Sequence, residues 1–264
     1  MRILVPIKQV PETNEVKMDE ESGTMIRAGV TSIVNPLDLY AIEEAILLRE
    51  AHGGSVTVIS MGPQTAITAI REAISMGCDD GYLLTDRRFA GSDTWATAYV
   101  LSEAIRKLGA FDLVICGERA TDGDTGQVGP ELAAFLDVPI LSYVAGLQVD
   151  GDSVVARRLV ETGYESYRCP LPLVVTVVKE IAYPRLPTLR GKQRAKQLTV
   201  PAWDNSNLQL DEQRIGLAGS PTRVKRISRP RVSREGEMLV VKTEQDAAVA
   251  VERVLDYLDT HHLL

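Results

Sequence analysis

Histidine and cysteine are scarce in this chain, with three of each in 264 residues. His52 falls at an expected helix end, and His261 and His262 lie among the last residues. A Ser-His-Asp or Cys-His machine needs a base held beside its nucleophile. None is on offer, so no catalytic side chain and no hydrolase chemistry is expected. Cys78, Cys116 and Cys169 have no paired spacing. That argues against a disulfide framework and against a metal site, and it points to a reducing compartment. No apolar run approaches the length of a bilayer crossing. The opening run, residues 3–7, has the length of a strand rather than of a signal segment. A cytoplasmic protein with no direct membrane insertion is therefore expected. The net charge of −7 argues against a nucleic-acid partner. The G-x-G-x-x-G fingerprint and the Walker lysine loop are also missing.

What is present is a soluble composition, 45% hydrophobic and 25% charged, carrying a repeated strand–loop–helix pattern. Apolar runs at residues 2–8, 55–61, 81–84 and 111–115 read as buried strands. Helical spacing follows each of them. Asn35-Pro36 looks like a helix start, with Asn35 as N-cap and Pro36 at the first helical position. Leu39, Ile42, Ala45, Ile46 and Leu48 then share one side. Residues 16–31 look like a hairpin excursion. Gly62-Pro63 opens a second helix, another ends at Leu108, and a fourth covers residues 131–136. This pattern predicts an α/β fold with a doubly wound, mostly parallel sheet and helices on both faces. Right-handed winding puts the loops at 9–10, 61–62, 89–97 and 116–130 on one edge of that sheet. A crevice large enough for a nucleotide is expected there.

The richest of these loops runs from Cys116 and Gly117 to Pro130. Gly123 and Gly126 let backbone approach a ligand closely. The N–H groups near Thr125, Gly126 and Gln127 face outward at a helix N-terminus, where an anion is welcome. Asp122 and Asp124 argue against a bare phosphate cradle, and suit helix capping or the hydroxyls and amines of a sugar or base. The competing reading is a capped connector with turn-forming glycines.

After Pro139 the pattern changes. Strands at 144–149, 153–160, 165–169 and 173–178 follow one another without helices, which predicts an antiparallel extension partly covering the sheet. Residues 180–237 lose hydrophobic period and gather basic residues, among them Arg223, Lys225, Arg226, Arg229, Arg231 and Arg234. They read either as a solvated linker or as an arm that orders against a partner. Residues 243–258 have helical spacing. Two regions are expected, 1–180 as a nucleotide-binding domain and 181–264 as a loop and C-terminal arm ending in a helix.

Lys8-Gln-Val-Pro11, Asn35-Pro36, Glu43-Glu44-Ala45, the stretch 122–130 and the stretch 184–192 together resemble the β (small) subunit of an electron-transferring flavoprotein. The likeness covers nearly the whole chain in the right order. Residues 158–172 match the family signature only loosely, with Thr162 where glycine or aspartate is expected. The resemblance implies an adenine nucleotide alpha hydrolase-like core. It also implies a heterodimer with an α subunit that carries a redox-active FAD and is embraced by the arm. Many β subunits bind only AMP, while those of the electron-bifurcating branch bind a second FAD that takes hydride from NADH and splits the electron pair. The stretches 89–97 and 122–128 are similar to the second kind. By that resemblance, Val10, Asn35, Asp38, Met61, Gly62, Gly117 and residues Asp122, Gly123, Asp124, Thr125, Gly126, Gln127 and Val128 hold the cofactor. Thr94 and Thr97 face the flavin ring, and Gly91 with Gly123 makes room for the NADH diphosphate. Leu189, flanked by Arg190, matches the leucine that docks on an acyl-CoA dehydrogenase-type flavoenzyme. Ferredoxin or flavodoxin is the implied low-potential acceptor. A nucleotide-binding sensor domain with no redox role is the reading from another class.

Overall fold

Alternate side chains of the central strands enter two different hydrophobic layers, and this alternation makes a sheet that must be covered on both faces. The computed structural model describes residues 1–12, 32–225, 236 and 238–263. It opens with β1 (Arg2–Pro6), β2 (Gln9–Pro11), β3 (Ser32–Val34) and α1 (Asp38–His52). These are followed by β4 (Ser55–Met61), α2 (Ile67–Met76), β5 (Asp80–Leu84), α3 (Thr94–Leu108), β6 (Leu113–Gly117) and α4 (Val128–Leu136). Four strands come next: β7 (Ile140–Asp150), β8 (Ser153–Val160), β9 (Gly163–Pro170) and β10 (Leu173–Val177). The remainder is α5 (Leu189–Gln197), β11 (Ala202–Trp203), α6 (Asn205–Leu208), α7 (Gly216–Gly219) and α8 (Glu244–Thr260).

The main sheet runs β11-β5-β4-β1-β6-β10-β7-β8-β9, and β2 and β3 form a separate antiparallel ladder. Neighbours from β11 through β7 are parallel, and β8 and β9 are added antiparallel. Ile3, Val5, Leu113 and Ile115 pack into one layer with Ile42 and Ile46 of α1, Ile70 and Ile74 of α2 and Ala195 of α5. Leu4, Val114 and Cys116 pack into the other with Val100 and Ile105 of α3 and Leu132 of α4. The architecture is the doubly wound, mostly parallel α/β sheet that the strand–loop–helix pattern predicts. From β1 the chain winds outward through β4 and β5, then returns to lay β6 against the other side of β1. The connections diverge there, and an open α/β sheet leaves its crevice at that point, beyond the carboxyl ends of the strands.

Several local expectations change. Asn35 is not an N-cap: α1 starts at Asp38 behind Leu37, with no side-chain cap, because the Asn35 amide is engaged elsewhere. A 3-10 turn, Gln64–Ala66, separates Gly62-Pro63 from α2. Leu173–Val177 is not part of the antiparallel extension but lies parallel between β6 and β7. All five of its residues are buried, as befits a strand covered on both faces. The antiparallel strands continue the sheet at its edge rather than covering it.

The stretch expected to be a linker is folded up to Lys225. Its helices are too short to show a period, but Ala195, Leu210 and Ile215 are buried, and Arg194 donates to the carbonyls of Cys78 and Asp79. The chain forms two compact units, Met1–Lys225 and Arg226–Leu264. In the second unit, α8 opens with a reciprocal cap between Thr243 and Asp246. The hairpin expected at 16–31 and the basic residues Arg226, Arg229, Arg231 and Arg234 lie outside the described residues. Among the described residues, no helix is long and apolar enough to cross a membrane.

Candidate functional site

The four expected loops follow the carboxyl ends of β1, β4, β5 and β6, and parallel pairing places them on one edge. At the switch between β1 and β6, Lys8 Nζ lies 2.6 Å from Asp122 Oδ1. Beneath this pair, the Lys8 backbone N–H donates to Asp38 Oδ2 at 2.7 Å. Asn35 Nδ2 donates to Asp38 Oδ1 and to the Arg119 carbonyl, each at 2.9 Å, while Asn35 Oδ1 accepts the Thr121 N–H at 3.2 Å. Asn35 and Asp38 are buried, and so is Val10 inside β2. In these three expected cofactor contacts the side chains are packed or hydrogen-bonded within the protein, at the edge where the β1 and β6 loops meet. Burial pushes the Asp38 carboxyl up to about 7, against the pull of Lys8 and Asn35.

Beyond this pair the loop turns tightly. Gly123 and Asp124 donate to the Ala120 carbonyl, and Asp124 and Gly126 take positive φ, 53° and 64°. A side chain at Gly123 would meet nothing within 4 Å. Among the described residues, no protein acceptor meets the N–H groups of Thr125, Gly126 or Gln127. They precede α4, whose dipole adds partial positive charge at the same place. Asp122 is neutralised by Lys8, and Asp124 pairs with Arg119 Nε at 3.0 Å. The objection that these carboxylates repel a phosphate is thereby weakened. Gly129 is glycine for another reason, since a Cβ would run into Thr176 of β10.

Across the crevice, Asp93 caps α3 by accepting the Ala96 N–H at 3.1 Å. Thr94 Oγ1 donates to Glu131 Oε1 in the first turn of α4, at 3.1 Å. Glu131 Oε2 is buried without a donor among the described residues. Burial first, and then Asp93, raises the Glu131 pKa. Thr97 is half-buried one turn on. Met61 ends β4, and the Gly62 N–H donates to the Leu84 carbonyl at 3.0 Å. Gly91 has a φ of +76°, and a Cβ there would stand 3.3 Å from that of Leu217. The root of the following segment is tied to the same loop, with the Thr222 N–H and hydroxyl both donating to Asp93 Oδ2.

The stretch 184–192 is a loop up to Thr188 that runs into the first turn of α5. Leu189 is 87% exposed and Arg190 is exposed beside it, so local packing does not account for the leucine. Leu186 and Tyr183 are 85% and 96% exposed on the same loop. Arg185 fixes that loop by donating to Glu43 and Glu50 of α1. A groove of about 440 Å³ lined by Glu44, His52 and Leu147 shares no residue with the crevice. Sequence reasoning missed Lys8, Arg119 and Glu131, whose partners are set by the fold. It also missed Leu186, which the Pro-Arg-Leu-Pro context could have drawn out.

The family model described as the electron transfer flavoprotein domain matches residues 22–208. An electron transfer flavoprotein subunit beta of Thermoanaerobacterium thermosaccharolyticum is 46% identical, with 100% of both chains covered. The caffeyl-CoA reductase-Etf complex subunit CarD of Acetobacterium woodii is 42% identical over 94% of this chain and 95% of the relative. The acryloyl-CoA reductase electron transfer subunit gamma of Anaerotignum propionicum is 39% identical, with 100% of both chains covered.

Proposed function

We propose that this chain, which belongs to the electron transfer flavoprotein family as a β subunit, binds FAD in the crevice beyond β1 and β6. Bound there, FAD supplies the acceptance of hydride from NADH and the release of electrons one at a time to two acceptors. The observation that carries this reading is the set of unpaired N–H groups at Thr125, Gly126 and Gln127, opening at the N-terminus of α4. They offer donors to a diphosphate, and the unobstructed face of Gly123 lets it come close. The paired state of Asp122 and Asp124 removes the opposing charge. Thr94 places a hydroxyl on the far wall, which supports a ligand longer than a mononucleotide. The residues present therefore fit the group.

Asn35 and Asp38 hold the crevice wall from behind, and Thr94 presents its oxygen while its proton points to Glu131. No side chain acts as a nucleophile in this scheme. β subunits of this family partner with an α subunit. The names of the two reductase-associated relatives support an acyl-CoA dehydrogenase-type flavoenzyme as one acceptor, reached through the α-subunit FAD. Ferredoxin or flavodoxin is the proposed acceptor for the other electron. Leu189, with Arg190 beside it, is the proposed docking anchor on the flavoenzyme, and Leu186 widens the same exposed apolar surface.

Acid extraction of the purified heterodimer tests the cofactor. A second FAD per heterodimer is expected, beyond that of the α subunit. AMP in its place would replace this reading with the non-bifurcating one, and neither molecule would overturn both.

A further inference from the structure

The crevice wall is built from three chain segments distant in sequence, and all three meet at one buried carboxyl. The turn after β1 arrives through the Lys8 N–H on Asp38 Oδ2, and the approach to α1 through Asn35 Nδ2 on Asp38 Oδ1. The loop after β6 is then gripped twice. Asn35 holds the Arg119 carbonyl and the Thr121 N–H, and Lys8 Nζ holds Asp122. The third segment also crowds Asp38 directly, since a Cβ on Gly117 would collide with Asp38 Oδ1. Each carboxyl oxygen accepts one of these bonds, and the residue is 6% exposed.

We infer that Asp38 is a positioning residue for the adenine nucleotide: it never touches the ligand but fixes, through Asn35 and Lys8, the loop 119–122 from which the glycine turn springs. This inference rests on the proposed nucleotide site. The Asn35 amide has a defined orientation only because its nitrogen faces two acceptors and its oxygen faces one donor. An asparagine at 38 keeps one oxygen where two are used. Either the Lys8 N–H or the Asn35 amide then faces an NH2 group and loses its acceptor. Shape is conserved and the junction is not.

The charge state of Asp38 supplies a second signature. The titratable and charged groups that face it are Lys8, Asp122 and the buried Cys116 thiol. Below neutral pH the carboxyl takes a proton and gives up one of its acceptor positions. If the ionised form is the one that holds the loop, affinity for the nucleotide falls as pH falls.

The test uses the heterodimer stripped of nucleotide, titrated with FAD and separately with AMP at pH 6, 7 and 8. Amide exchange of the peptide spanning residues 118–124 is followed in parallel without ligand. For the unsubstituted protein the bound nucleotide is expected to bind about tenfold more weakly at pH 6 than at pH 8. D38N is expected to bind at least about tenfold more weakly at pH 8, to lose that pH dependence, and to exchange faster at 118–124. G117A drives a methyl into Asp38 Oδ1 and the Leu37 backbone, and is expected to weaken binding and to speed exchange at 118–124 while the pH dependence remains. Unchanged affinity, pH profile and exchange in D38N would overturn the inference. Failure of the unsubstituted heterodimer to bind either nucleotide would overturn the proposed site instead, and the exchange of 118–124 would still decide whether Asp38 holds that loop.

Discussion

Thr94 Oγ1 and Glu131 Oε1 stand 3.1 Å apart, so the first turns of α3 and α4 share a hydrogen bond across the crevice. Glu131 pays for that position with a raised pKa, caused by burial and by Asp93 and offset in part by Thr94. A carboxyl whose folded pKa is raised contributes stability that is present below its unfolded pKa and is lost as pH rises through its folded value. E131Q is therefore expected to gain melting temperature over the unsubstituted protein at pH 8, and to gain less at pH 4.5. Melting curves at both pH values check this, and a gain independent of pH would contradict it. T94V removes this hydrogen bond and is expected to cost about 1 kcal/mol of stability, read by denaturant unfolding.

Removing Lys8 leaves Asp122 without its cation, and that carboxylate is only 10% exposed. K8M is expected to cost about 1–2 kcal/mol of stability, less than a fully buried pair because Lys8 itself is half-exposed. Nucleotide affinity should fall with it, because an unneutralised Asp122 now opposes a phosphate. Denaturant unfolding and FAD titration on the same preparation read both effects.

Gly123 in the loop after β6 and Gly129 in the first turn of α4 separate ligand approach from packing. G129A drives a methyl into Thr176 and is expected to cost about 1–3 kcal/mol. G123A meets no protein atom within 4 Å, so it should fold like the unsubstituted chain and still bind nucleotide more weakly. If G123A binds FAD normally, the glycine turn is not where the ligand comes close.

How much of this was legible beforehand follows from which interactions are local. β1, β4 and β6 carry buried runs closed by Gly or Pro, and Asp93 stands at the start of helical spacing, so these elements announce themselves within a dozen residues. Asn35-Pro36 carries the same kind of local signal and misleads, because its amide is claimed by Arg119 and Thr121, far away in sequence. β10 reads as one more strand of a meander, since nothing local says that it will slip between β6 and β7. The segment up to Lys225 looked like linker because its order comes from buried Leu210 and Ile215 and from clamps such as Thr222 on Asp93, not from any period. The crevice could be located from the loops. Which residues face it and which stand behind it required the fold.

The exposed loop before α5 makes a functional prediction of its own. L189A and L186A remove side chains that are 87% and 85% exposed, so stability should be unchanged. Electron transfer to the partner flavoenzyme should weaken, with the apparent KM for that partner rising. R185A differs, because it strands Glu43, whose side chain is 5% exposed, and is expected to cost about 2–4 kcal/mol. Stability and partner titration together distinguish anchor from brace.

The central claim is that the crevice between β1 and β6 holds a flavin that NADH reduces. The direct measurement is an anaerobic NADH titration of the purified heterodimer, followed by flavin absorbance. Full bleaching of one flavin by a stoichiometric amount of NADH, with a smaller bleached fraction in G123A at the same flavin concentration, is the predicted result. A spectrum that NADH leaves unchanged would contradict the claim.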